Sequence, residues 1–438
     1  MNTKIIALDD DPTGSQTVHG CLLLTRWDEA TLRAALTDES PLFFVLTNTR
    51  GMDAASAARV TRDVCQNLQA ALSAEAAAGN PINPILVSRS DSTLRGHYPV
   101  ETDVIAEALG PFDAHFLVPA FIEAGRITEH SQHYLLVDGK KVPTHETEFA
   151  RDSVFGYRTS YLPDYVAEKT AGRIPAEAVQ RFVLDDIRGN ALEAQLAALN
   201  HNACGVVDAV TQDDLNRFAH AVMAVAATGK RFLFRSAASL LTALAALPPQ
   251  PIAATDMRHF VRGGKAGAVI VGSHVKKTSE QLAELLTEPN LAAIEVDIER
   301  IDRDNAQLVT EILAQAQTAF DAGLTSVIFT SRSEKTFADQ ASRLAFGARV
   351  SATLMAIVAG LPNNLGWLVS KGGITSNDVL STGLNLKAAR VLGQILTGCS
   401  VVRCPADHPR FPALPVVIFP GNVGDQFAVR DVVRRLRG

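Results

Sequence analysis

The apolar run Lys4-Ile5-Ile6-Ala7-Leu8 ends abruptly in Asp9-Asp10-Asp11-Pro12-Thr13-Gly14-Ser15. Three adjacent carboxylates repel one another and make poor core residues, so at the carboxyl end of a strand they are expected to face hydroxyls, a cation or phosphate. The plainer reading is an acidic turn that caps the next helix. A second polar stretch, Ser88-Arg89-Ser90-Asp91-Ser92-Thr93-Leu94-Arg95-Gly96-His97-Tyr98, follows another apolar run. Its arginines suit a carboxylate and Asp91 suits a hydroxyl, the needs of a small polyhydroxy acid. Its alternative is an Asp91–Arg95 pair at i, i+4 on a helix surface.

Further along, glycine-bearing loops follow three predicted strands: Gly272-Ser273-His274, Lys371-Gly372-Gly373-Ile374-Thr375-Ser376 and Gly421-Asn422-Val423-Gly424-Asp425. Glycine lets backbone N–H groups approach an anion, so together these loops suit a polyphosphate. Neither the Walker pattern nor Gly-x-Gly-x-x-Gly is present. Lys276, Lys277 and Lys371 are the cations closest in sequence, with Lys371 the stronger candidate for a phosphate contact. His130 and His133 stand at i, i+3 but lack a third neighbouring ligand for zinc.

These residues need strand ends to carry them. Short Val/Ile/Leu/Phe runs alternate with alanine-rich helical stretches, the pattern of an α/β protein with mostly parallel sheets flanked by helices. Strands are expected at Ile5–Leu8, Phe43–Leu46, Ile85–Val87, Phe116–Val118 and Gly205–Val207, then at Ala268–Val271, Ser326–Phe329, Trp367–Val369 and Val416–Phe419. A helix is expected over Asp53–Glu75, and Thr47-Asn48-Thr49-Arg50 is a polar strand end. Residues 119–165 break the rhythm and read as an ordered, substrate-facing insertion. The Pro248-Pro249-Gln250-Pro251 cluster marks a linker over 248–265, separating a domain at 1–247 from one at 266–438.

The 438 residues carry 41 basic and 47 acidic side chains and only 6% aromatics, which disfavours a nucleic-acid partner. Five scattered cysteines, Cys21, Cys65, Cys204, Cys399 and Cys404, support neither a disulfide framework nor structural zinc. The longest apolar stretch noted, near 237–248, is too short to span a bilayer, and no signal peptide is evident, so a cytoplasmic location without membrane partners is expected.

Asp10-Asp11-Pro12-Thr13-Gly14 resembles the amino-terminal Asp-Asp-x-Thr-Gly signature of the four-carbon acid sugar kinase family. Asp91-Ser92-Thr93-Leu94-Arg95-Gly96 matches its second signature, and Glu123-Ala124-Gly125-Arg126 with Thr128 resembles a third. Gly372-Gly373 with Thr375-Ser376, and Gly421-Asn422-x-Gly424, resemble its nucleotide-binding loops. The resemblance implies two Rossmann-like domains, with a sugar-acid site on the first, ATP on the second and the active site in the cleft between them. The implied reaction moves the ATP γ-phosphate to the terminal hydroxyl of threonate, erythronate or 3-oxo-tetronate, with Mg²⁺ on the phosphates. Asp10, Asp11 and Asp91 are then the catalytic candidates. Thr13, Gly14, Arg89, Ser92, Thr93, Arg95 and Arg126 are assigned to the acid, with Arg89 and Arg95 clamping its carboxylate. Ser273, Lys371, Gly372, Gly373, Thr375, Gly421, Asn422 and Gly424 are assigned to the nucleotide. Asp425 or an amino-terminal aspartate is assigned to help hold Mg²⁺, and any self-assembly is expected to be a homodimer. Departures from the family pattern fall at Pro12, Thr17 and Ile374.

Two other functions compete. Asp9, Asp11 and Thr13 also fit an Asp-x-Asp-x-Thr phosphatase, with Asp9 as nucleophile, Thr47 on phosphate and Asp185-Asp186 on Mg²⁺. A non-catalytic sensor would use the same residues for binding alone.

Overall fold

The apolar run at the amino terminus forms strand β1 (Asn2–Asp9), and its last six residues are buried. β2 (Leu22–Leu24), β3 (Leu42–Leu46), β4 (Ile82–Arg89) and β5 (Ala114–Val118) follow. A small antiparallel sheet then forms from β6 (Arg126–Glu129), β7 (Gln132–Val137) and β8 (Lys140–Pro143), before β9 (Gln180–Phe182), β10 (Ala203–Val207) and β11 (Phe232–Ser236) return to the parallel series. This computed structural model describes residues 2–273, 275–332, 337, 339–421 and 423–438. Its chain contacts define two compact units, Met1–Pro249 and Gln250–Gly438.

In the first unit the strands run β2-β3-β1-β4-β11-β5-β10-β9, all parallel. Such strands are covered on both faces, which explains their unbroken apolar runs. Register levels the carboxyl ends: Asp9 lies opposite Leu46 of β3 and Arg89 of β4, and Arg89 lies opposite Ser236 of β11. Whatever follows those residues emerges along one edge. The expected helix runs over Ala54–Ala77, with the Asp53 carboxylate accepting the Ser56 N–H as its cap.

The second unit contains β12 (Ala268–Val271), β13 (Leu291–Val296), β14 (Thr325–Thr330), β15 (Leu368–Lys371), β16 (Ala388–Leu396), β17 (Cys399–Arg403) and β18 (Pro415–Phe419). Their order is β13-β14-β12-β15-β18-β17-β16, parallel as far as β18 and antiparallel through β17 and β16. The sheet is therefore mixed here, because the Thr397-Gly398 turn links β16 to β17 directly, without a crossover helix.

Most of the stretch expected as a linker packs into this second unit. Met257 lies in its core with Phe260 and Val261 against it, and Arg262 donates to the carbonyls of Asn363 (2.9 Å) and Leu365 (2.8 Å). Within the helix Gln340–Gly360, residues Ser342–Gly360 are long and apolar enough to cross a membrane by length and composition alone. Phe346, Leu354, Ile357 and Val358 of that helix are buried in the unit.

Candidate active site

β3, β1 and β4 deliver the first cluster. Arg50, just beyond β3, donates through Nε to Asp10 (3.2 Å), through Nη2 to the other Asp10 oxygen, and through Nη1 to Asp11 (3.2 Å). Ser90, just beyond β4, donates to Asp10 at 2.7 Å. Asp10 is thus a buried anion oriented by three donors. Burial alone would raise the Asp11 carboxyl, but Arg50 and the Thr13 hydrogen bonds outweigh it and hold its pKa below the ordinary value.

Asp9 has a different environment. It is fully buried and accepts from Arg89 at 3.2 Å, yet its Oδ2 has no hydrogen-bond partner. Burial pushes its pKa up to about 7 against the opposing pull of Arg89. Gly14 packs directly on this carboxylate: a Cβ there would fall 1.9 Å from Asp9 Oδ2. The glycine of the first signature is therefore required by the close approach of Asp9.

Asp91 opens the second signature loop. Its Oδ2 accepts Arg95 Nε at 2.7 Å and the Thr93 hydroxyl, and Oδ1 carries neither bond. Burial opposes ionisation, but Arg50 and Arg95 prevail and hold its pKa well below the usual carboxylate range. Gly96 closes the loop at φ +115°, where a Cβ would meet Arg235 Nη2 and Ser90 Oγ at 2.5 Å and Asp10 Oδ2 at 3.0 Å. Arg235 of β11 donates to Ser90 (2.6 Å), Ser88 (2.8 Å) and Glu101 (2.5 Å), so it braces the serine that holds Asp10.

The 119–165 insertion is ordered and grips this loop by its backbone. His133 reaches the Ser92 carbonyl (2.7 Å), and the Tyr157 hydroxyl donates to the Thr93 carbonyl (2.8 Å). Tyr165, in the following helix Leu162–Lys169, donates to the Leu94 carbonyl (2.7 Å). The other His133 nitrogen meets Thr128 at 2.9 Å, and burial pushes its pKa down to about 4. With both nitrogens engaged, His133 is a loop anchor and not one half of a zinc pair with His130. Among the described residues, no group of three or more His, Cys, Asp and Glu side chains could hold a metal ion.

The assigned carboxylate clamps are already occupied. Arg89 is paired with Asp9, and Arg95 lies between Asp91 and Asp152 (3.7 Å) above the Phe149 ring. Arg126 donates Nη1 to the Ala124 carbonyl at 2.7 Å, while its Nε is buried without a partner.

The phosphatase residues do not assemble. Asp185 and Asp186 follow β9, five strand positions from β1, or about 24 Å at ~4.8 Å per strand. The Thr47 hydroxyl is spent on the Asp9 carbonyl at 2.9 Å.

In the second unit β12, β15 and β18 are neighbours in register, with Val271 opposite Lys371 and Lys371 opposite Phe419. Their glycine loops consequently emerge side by side. Gly372 has φ +111°, and a Cβ on Gly272 would lie 2.8 Å from Thr375 Oγ1. Lys371 is buried and donates to the carbonyls of Pro420 (2.8 Å) and Gly421 (3.0 Å), with burial pushing its pKa down to about 8. It ties two loops together and does not stand free as a point charge. Lys277 holds the Gly424 carbonyl (3.2 Å), Gln281 those of Val423 (3.0 Å) and Asp425 (2.7 Å), and Arg332 that of Ser273 (2.6 Å). Gly373 starts the helix Gly373–Asp378. Asn422 and His274 lie outside the described residues.

Sequence reasoning placed Arg50 at a polar strand end without a role and missed Arg235, Gln281 and Arg332. Arg50 had a usable signal, a guanidinium four residues beyond a strand that neighbours an aspartate turn. Arg235 had none, because β11 was not identified.

Residues 5–244 match the family described as a sugar-binding N-terminal domain, and residues 268–429 the family described as a nucleotide-binding C-terminal domain. These matches define a two-domain protein with a sugar-binding domain followed by a nucleotide-binding domain. The chain belongs to the four-carbon acid sugar kinase family. It is 30% identical over 226 residues to a D-erythronate kinase of Heliobacterium modesticaldum, an alignment covering 50% of this chain and 48% of that relative, about half the length of each. The fold is shared with crystal structures of a Haemophilus influenzae protein (TM-score 0.66, 16% identity, 99% of each chain) and of a Salmonella typhimurium LT2 protein (TM-score 0.68, 16% identity, 99% of this chain and 98% of that one).

Proposed function

We propose that this protein transfers the γ-phosphate of ATP to the terminal hydroxyl of a four-carbon sugar acid of the threonate, erythronate or 3-oxo-tetronate type. The observation that carries the reading is the convergence of Arg50, Asp10, Asp11, Ser90 and Asp91 on one edge of the first sheet. The second sheet supplies three adjacent glycine loops suited to a polyphosphate. Phosphoryl transfer asks mainly for positioning and charge neutralisation, which these two sets supply.

The depressed pKa values of Asp11 and Asp91 make them weak proton acceptors at neutral pH, so their role is to orient hydroxyls. Asp91 Oδ1 is the atom best placed to accept from the acid's hydroxyl, and Asp10 holds the arginine and serine around it. On the nucleotide side, Lys277, Lys371 and Arg332 bond loop carbonyls and so fix the loops that would meet phosphate oxygens, although the Gly372 N–H is itself donated to the Phe419 carbonyl at 2.8 Å. Asp425, whose Oδ1 accepts the Phe427 N–H at 3.0 Å, is the residue of these loops suited to hold Mg²⁺, which would neutralise phosphate charge. The reading includes a cytoplasmic location and assembly as a homodimer.

The test is ADP formation from ATP and Mg²⁺ across a panel of four-carbon acids and their epimers, with the product identified by mass. Acid-dependent ADP that falls at least ~100-fold in Asp91→Asn supports the proposal. Phosphate release from a sugar phosphate without nucleotide, or tight binding of acid and ATP with no turnover, would replace it with the phosphatase or the sensor.

A further inference from the structure

The arginines at the sugar-acid edge differ in one respect, which is what neutralises each of them. Arg50 faces Asp10 and Asp11, Arg89 faces Asp9, Arg95 faces Asp91 and Asp152, and Arg235 faces Glu101. Arg126 has no carboxylate at ion-pair distance among the described residues. Its neighbour Glu123 accepts the Ser239 hydroxyl, and its own contacts are the Ala124 carbonyl (2.7 Å) and the face of Phe121 (5.9 Å). Nε is buried with no acceptor at all. Arg126 is half-buried with no carboxylate at ion-pair distance, and burial lowers its pKa against the weaker opposing pull of Asp91. A site that retains such a group gains most from an anion that arrives with the ligand.

Resting on the sugar-acid reading of the first unit, we propose that Arg126 is the residue that reads the acceptor's carboxylate. Arg89 and Arg95, assigned to that task by position, are internal counter-charges. Asp91 and Arg126 then divide the acceptor, hydroxyl to the one and carboxylate to the other. Arg126 is thus a specificity determinant, separating a sugar acid from the neutral polyol of equal length.

Titration calorimetry without nucleotide tests this, using D-erythronate and erythritol, which carries a hydroxymethyl group in place of the carboxylate. The wild-type protein should prefer the acid by roughly 10- to 100-fold, the range of a charge-assisted hydrogen bond. Arg126→Gln should lose that preference and leave erythritol binding unchanged. Arg126→Lys, which keeps the charge but not the planar fork, should retain part of it and guards against a misfolded glutamine variant. Acid binding unchanged in Arg126→Gln, or a wild-type protein that does not distinguish acid from polyol, would overturn the assignment. Because no ATP is present, the result stands apart from turnover: undiminished acid-dependent ADP formation by Arg126→Gln would sink this assignment and leave the kinase reading intact.

Discussion

The contact between Gly14 and Asp9 permits a double-mutant cycle with a definite sign. In Gly14→Ala the new methyl would sit 1.9 Å from Asp9 Oδ2 and 2.3 Å from its Cγ, and Gly14 has no left-handed φ to add backbone strain. Overpacking of this kind costs about 1–3 kcal/mol. Asp9→Ala leaves Arg89 buried without its partner, a change that costs about 3–5 kcal/mol. Independent effects would sum to about 4–8 kcal/mol, but the double variant lacks the carboxylate the methyl strikes. It should therefore cost no more than Asp9→Ala alone, a coupling of about 1–3 kcal/mol in the direction of rescue. The two tryptophans, Trp27 and Trp367, fall in different units, so urea unfolding followed by Trp27 fluorescence in a Trp367→Phe background reports the first unit. Additivity within ~0.5 kcal/mol would refute the claim that Asp9 is what excludes a side chain at position 14.

Asp9 also sets a pH dependence. A carboxyl raised from 3.8 to about 7 binds its proton more tightly in the folded state, so its contribution to stability should decline from about pH 4 to pH 7 and then level off, and Asp9→Asn should remove that decline when the two urea curves are subtracted. His133 works in the opposite direction: lowered from 6.5 to about 4, it contributes stability that is full above 6.5 and lost as pH falls towards 4. His133→Phe should abolish that slope and cost about 1–3 kcal/mol, through the unsatisfied Ser92 carbonyl. In the second unit, Lys371→Met should free the Pro420 and Gly421 carbonyls and weaken ATP binding roughly 10-fold by calorimetry, with erythronate binding unaffected.

What could be read from the chain alone follows from how local the signal is. β1 and the aspartate turn are contiguous, as are β12 and Gly272, so an apolar run followed by polar or glycine residues was enough to find them. The helix Ala54–Ala77 showed in its periodicity. Arg50 reaches Asp10 directly and Arg235 reaches it through Ser90 only because the order is β3-β1-β4-β11. No spacing in the sequence encodes that order. The β16–β17 pair went unnoticed because Arg390 and Gln394 interrupt the apolar run of β16 and β17 is short, with only four buried residues. Lys371 was found, but its task was not: burial, which decides between a tether and a free charge, is a property of the fold.

The grip of His133, Tyr157 and Tyr165 on three consecutive carbonyls carries a further consequence. The Asp91–Gly96 segment takes its shape from side chains that lie 41 to 71 residues away, so an identical hexapeptide on a different insertion would present its carboxylate and guanidinium at different angles. If the proposed sugar-acid reading holds, exchanging an aromatic ring of the 119–165 insertion should shift the preference among stereoisomeric acids with every letter of the signature left in place.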